Sequence, residues 1–147
     1  MKQPSAIKIE IADEQTILAL DRPLLRKAVR QVLREAGVRK ARISLAVVDD
    51  ATIARLNWQY LRHRGPADVL SFVLDKSDGL EGEVVVGVET ALRTAPQYGW
   101  SPYDELLLYV IHGMLHLVGQ DDTSAELRGE MEKKEKDILE KLGITRR

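Results

Sequence analysis

Cysteine is absent from the 147-residue sequence. That excludes disulfides, iron–sulfur clusters and thiol catalysis, so any bound metal must take histidine and carboxylate ligands. Long apolar runs are missing too, and no stretch approaches the length of a membrane span. The opening residues, MKQPSAIKIEIADEQ, lack the apolar core of a signal peptide. The expected location is cytoplasmic, with no membrane partner. Internal repeats, linkers and low-complexity segments are also lacking. With 44% hydrophobic and 31% charged residues, the chain reads as one domain over residues 1–147 with a real core.

Charge is unevenly spread behind a formal net value of −1. Residues 1–65 hold 13 Lys and Arg against 7 Asp and Glu, whereas residues 66–147 hold 9 against 16. A basic half beside an acidic half suits RNA held near an active centre, although solvated helix faces are also basic.

Residues 101–122, SPYDELLLYVIHGMLHLVGQDD, organise the rest. Ser101 can cap a helix, Pro102 suits its first position and Asp104 has capping-box spacing. Leu106 to Val118 is apolar on nearly all faces, which marks a buried helix. His112 and His116 interrupt it four residues apart, on one face, so their rings can converge on one ion. Gly119 ends the helix cheaply in a left-handed turn and brings Asp121 and Asp122 back toward that face. Two histidines and Asp122 leave one coordination position open, the layout of a catalytic zinc (Zn2+). Gly113 stands where metallopeptidases of the H-E-x-x-H kind carry a glutamate base. A peptidase therefore lacks its general base here, although it shares the ligand spacing.

These residues carry a family resemblance. HGMLHLVGQDD resembles the H-G-x-L-H-L-x-G-Y-D-H signature of YbeY-type endoribonucleases, bacterial rRNA-maturation factors. His112, Gly113, Leu115, His116, Leu117, Gly119 and Asp121 match. Gln120 replaces the tyrosine and Asp122 replaces the third histidine ligand. The carboxylate adds negative charge, which should weaken the Lewis acid, and it leaves other divalent ions open. Upstream, Asn57, Tyr60, Pro66, Asp68, Val69, Leu70, Ser71 and Phe72 are similar to a second signature, N-x-x-Y-R-x-x-x-x-P-T-D-V-L-S-F-P. The family arginine falls on Leu61, the threonine on Ala67 and the last proline on Val73. GEVVVGVETA is similar to a third stretch, G-D-I-V-I-S-x-E-T-A. The likeness runs from about residue 40 to the C-terminus.

The resemblance implies a zinc-dependent, single-strand-specific endoribonuclease with one ion per chain. It implies late maturation of the 16S rRNA 3′ end and ribosome quality control. The expected partners are ribosomal RNA and the small ribosomal subunit or its proteins. The expected metal ligands are His112, His116 and Asp122. Arg62 and Arg64 are the candidates to replace the family arginine, holding the backbone and offsetting transition-state charge. Asp121 is a candidate proton acceptor or histidine-orienting group, or else the cap of a turn. A non-catalytic ribosome- or RNA-binding factor, its metal only stapling the last helix, is the other class to test.

Elsewhere the pattern predicts an α+β fold: one small mixed sheet of about four strands with about five helices, the metal site on a buried central helix. A strand is expected from Ile7 to Ile11. A helix with a basic outer side follows, capped at Asp21, with Pro23 in its first turn and Gly37 closing it. The second strand spans Ile43 to Val48. Asp50 is expected to cap a helix over Ala51 to Tyr60, with Ile53, Leu56 and Tyr60 facing the core and Trp58 as packing. Val69 to Leu74 reads as a buried central strand, paired as a hairpin with Glu83 to Val88. A short helix spans Thr90 to Gln97. A last helix from Thr123, boxed with Glu126, carries Leu127, Met131, Ile138, Leu139 and Leu142 inward. Glu135 counts there among the charges of a wet surface.

Overall fold

The structure, a computed structural model, describes residues 6–145. Its strands are β1 (Ile7–Glu14), β2 (Ala41–Val48), β3 (Val69–Asp75) and β4 (Leu80–Gly87). Its helices are α1 (Arg22–Glu35), α2 (Asp50–Leu61), α3 (Val88–Thr94), α4 (Pro102–Leu117) and α5 (Ala125–Lys141). A single 3-10 turn, Ala95–Tyr98, links α3 to α4. The strands form one mixed sheet in the order β1-β2-β4-β3. β2 runs parallel to both β1 and β4, while β3 pairs antiparallel with β4. The expected α+β architecture is what the chain adopts.

Alternation along β2 and β4 sends side chains to two unequal cores. Ile43, Leu45, Val47, Val84 and Val86 meet α1, α4 and α5 on the larger side. Val48 and Val85 meet Ile53 and Leu70 on the smaller side, under α2. α4 lies directly on β3 and β4, flanked by α1, α3 and α5. Eleven of its 16 residues are buried, as its all-round apolar sequence requires. Among the described residues no helix is long and apolar enough to cross a membrane.

Several local expectations shift. β3 is an edge strand, not a central one, and Val73 and Leu74 near its end are exposed. An apolar run reports hydrophobicity, not position in the sheet. Asp49 rather than Asp50 caps α2, accepting the Thr52 amide at 2.8 Å. Ser124 rather than Thr123 caps α5, accepting the Leu127 amide at 3.1 Å. Tyr60 is 58% exposed and Trp58 47%, so neither is core. Ile53 and Asn57 are the buried residues of α2; Trp58 lies off their face, and Tyr60 shares it but sits in the last turn, its ring 5.3 Å from that of Phe72.

Candidate metal centre

α4 begins as its sequence predicts. Ser101 accepts the Asp104 amide at 3.1 Å and Pro102 starts the first turn. Inside the helix Gly113 makes the close approach to the sheet possible. A Cβ there would lie 2.7 Å from Val84 Cγ1 and 2.8 Å from Val69 Cγ2. The Ser71 hydroxyl donates to the Gly113 carbonyl at 2.9 Å and ties the helix to β3. Position 113 therefore faces the sheet while His112 and His116 face outward. A glutamate at 113 would have no room, so the base position of the H-E-x-x-H peptidases is closed in geometry as well as empty in sequence.

The two imidazoles meet edge to face, their centroids 4.7 Å apart. The chain then turns at Gly119, with φ of +96°. The Gly119 amide donates to His116 O at 3.0 Å and the Gln120 amide to Leu115 O at 2.9 Å. This closure returns Asp122 to the histidines. Asp122 Oδ2 stands 3.6 Å from His112 Nε2 and 3.4 Å from His116 Nε2. The two Nε2 atoms are 3.1 Å apart. Ligands about 2.05 Å from a tetrahedral zinc stand about 3.3 Å from one another, and these three separations bracket that value. His112, His116 and Asp122, each half-buried, could hold a metal ion. The donor set of two nitrogens and one oxygen fits zinc or a similar divalent ion and disfavours calcium.

Glu135 completes the arrangement: it is expected on the wet surface of α5, and the structure buries it against His112 instead. Its carboxylate is buried, 2.8 Å from His112 Nδ1. An ionised carboxylate only accepts, so Nδ1 carries the proton and Nε2 presents its lone pair to the site. The Glu135 hydrogen bond is also the main reason the His112 pKa rises above 6.5; burial opposes it, and Asp68 and Asp122 add to it. The signal was present in sequence. Glu135 sits four residues after Met131 and three before Ile138, both buried, and so lies on the apolar stripe.

Asp121 bonds within the turn. It accepts the Asp122 amide at 2.7 Å, the Thr123 amide at 3.2 Å and the Thr123 hydroxyl at 2.9 Å. Those bonds, the Thr123 hydroxyl first, hold its carboxyl below the usual range. Arg62 and Arg64 lie elsewhere: both guanidinium groups stand over the Trp58 ring. The structure brings His112, His116 and Asp122 together, keeps Asp121 in the adjoining turn and sets Arg62 at the C-cap of α2 and Arg64 in the loop after it.

Beside His112 a cavity of about 500 Å³ is lined by Asp68, Thr90, Tyr98, Tyr109 and Glu135 among others. Burial pushes the Tyr109 phenol up to about 12, so it stays a hydrogen-bond donor at neutral pH. Glu105 in the same wall is 2% exposed and accepts the Trp100 indole N–H at 2.6 Å.

The α+β fold and its convergent two-histidine, one-carboxylate cluster are those of a candidate metal-site protein. The family model described as Endoribonuclease YbeY matches residues 8–143. The chain belongs to the YbeY endoribonuclease family. Proteins named Endoribonuclease YbeY include one from Carboxydothermus hydrogenoformans, 39% identical over 142 residues, covering 93% of this chain and 99% of that one. One from Pelotomaculum thermopropionicum is 39% identical, covering 84% and 87%. One from Rhodopirellula baltica is 41% identical, covering 74% of this chain and 57% of that longer one. A solution structure from Thermotoga maritima superposes with a TM-score of 0.61 at 25% identity, covering 90% of each chain.

Proposed function

We propose that this protein is a zinc-dependent endoribonuclease that cuts single-stranded ribosomal RNA in the cytoplasm, near the 3′ end of small-subunit RNA. The observation that carries the reading is the triangle of two Nε2 atoms and one Oδ2. Family membership supports the endoribonuclease activity, and the resemblance to rRNA-maturation factors supports the ribosomal substrate. Zinc bound here would supply Lewis acidity and a water acidic enough to ionise near neutral pH.

The chain's own residues divide the remaining work. His112 and His116 offer neutral nitrogens, and Glu135 holds His112 in the required tautomer. Asp122 offers an anionic oxygen. Asp121 is a positioning residue, since its three turn bonds set where Asp122 points. Tyr109, its hydroxyl held by Thr94 and Glu105, walls the cavity. Arg62 and Arg64 hold the RNA backbone from the loop that leads into the cavity.

The test begins with metal content. Untagged protein purified without added metal, measured by elemental mass spectrometry, should carry one zinc per chain. His116→Ala and Asp122→Ala should lose it. Cleavage of a single-stranded ribosomal RNA fragment should follow the zinc. A wild type that takes up no metal, even when zinc is added back, sinks the hydrolase reading.

A further inference from the structure

α2 ends in a cluster that the metal centre does not use. Trp58 lies exposed on this helix, in a chain with only one other tryptophan. The Arg62 guanidinium carbon is 5.6 Å from its ring centroid and that of Arg64 is 5.8 Å away. Both distances are within cation–π range. Neither arginine has a carboxylate partner or a side-chain hydrogen bond among the described residues. Two uncompensated cations thus stand over one solvent-facing indole.

The backbone holds this arrangement at a cost. Arg62 has φ 58° and ψ 26°, and among the described residues it is the only non-glycine with positive φ. Helix ends of this kind favour glycine or asparagine. The Arg62 amide caps the Trp58 carbonyl at 3.0 Å, so backbone and side chain both join these two residues. A disfavoured conformation kept for one side chain points to a use for that side chain. The loop is fixed from below, where Asn57 Nδ2 donates to Gly65 O at 3.0 Å. It continues into Pro66, Ala67 and Asp68, which wall the cavity beside His112.

We infer that Trp58, Arg62 and Arg64 form a binding platform for unpaired RNA, with a base stacked on the indole and flanking phosphates on the two guanidinium groups. The inference rests on the RNA reading proposed above and deepens the role given there to Arg62 and Arg64, adding Trp58 as the surface on which a base stacks. An indole accepts any base because every base has a π face, and duplex RNA hides those faces. Guanidinium suits phosphate by its planar fork and its weak hydration. The platform leads by a short loop to the cavity, so a strand held there passes the metal centre. It selects single strands without reading their sequence.

The experiment uses the zinc-loaded full chain and a short 2′-O-methyl oligo-uridine, which resists cleavage. Binding is followed by quenching of tryptophan emission and by anisotropy of a labelled strand. Wild type should bind and lose Trp58 emission. Trp58→Ala should weaken binding by about 5- to 160-fold, the range of one lost stacking contact. Trp58→Phe should recover part of the loss. Arg62→Gly should keep or raise the melting temperature, since glycine suits the backbone, while lowering affinity and flattening its salt dependence. A fully paired duplex should bind Trp58→Ala and wild type alike. Unchanged affinity in folded Trp58→Ala overturns the inference, even if wild type cleaves ribosomal RNA. Quenching by polyglutamate but not by the oligonucleotide also overturns it, in favour of an acidic protein partner. Stacking retained by a zinc-loaded protein that fails to cut the unmodified ribosomal RNA fragment sinks the nuclease reading and leaves the platform standing.

Discussion

Glu135 of α5 holds the Nδ1–H of His112 of α4 at 2.8 Å, from 23 residues further along the chain. The helix with the histidines and the helix after the turn are thus one functional unit. Glu135→Gln keeps the shape but removes the charge that favours the donor tautomer. Zinc affinity should fall about 10- to 100-fold, as for other partners of ligating histidines. Competition with a chromophoric chelator reads this directly. An unchanged affinity would reduce Glu135 to packing.

Asp122 sets the charge of the site. Asp122→His should keep the zinc and remove one negative charge from around it. The bound water should then ionise more readily, and the acid limb of the cleavage pH profile should move to lower pH. A limb that does not move, in a variant with one zinc per chain, would show that Asp122 is not a ligand.

Gly113 tests the contact between helix and sheet. In an open helix, alanine would stabilise relative to glycine by about 1 kcal/mol. Here the new Cβ would press on Val84 and Val69 at 2.7 and 2.8 Å. Gly113→Ala should instead destabilise by about 1–3 kcal/mol, the usual cost of overpacking. Thermal or urea denaturation gives the sign, and a higher melting temperature would contradict the close packing.

A metal bound at this site would compete with protons for His112. Its folded pKa is raised above 6.5, chiefly by Glu135. In the metal-free protein the His112–Glu135 pair therefore adds stability that is full below pH 6.5 and is lost as pH rises through the folded value. Zinc binding has the opposite dependence and should weaken as pH falls through that same raised value. Urea midpoints of metal-free protein against pH should decline across this window, and Glu135→Gln should flatten the decline. A wild-type midpoint that rises there would reverse the assignment.

Much of this was written in local sequence. The i, i+4 histidines, the Ser101 cap and the Gly119 stop are short-range signals, and they fix α4 and its ligand face. Alternation from Ile7 and along Ile43–Val48 gives strands for the same reason, because side-chain period depends on backbone geometry alone. Gly119 with the two aspartates also foretold the returning turn.

Other features depend on which surfaces meet, and no local period encodes that. β3 looks buried by composition but stands at the sheet edge, since strand order is settled by pairing across the fold. Trp58 and Tyr60 look like core residues but stay exposed, because the sheet face beneath α2 is covered by Ile53 and its neighbours. Glu135 is one acid among many until α5 docks beside α4 and gives its carboxylate a histidine. Local pattern is enough to build the helix that carries the candidate ligands. Which distant carboxylate meets His112 is settled by the docking of α5 beside α4, because a buried charge finds its partner through long-range packing.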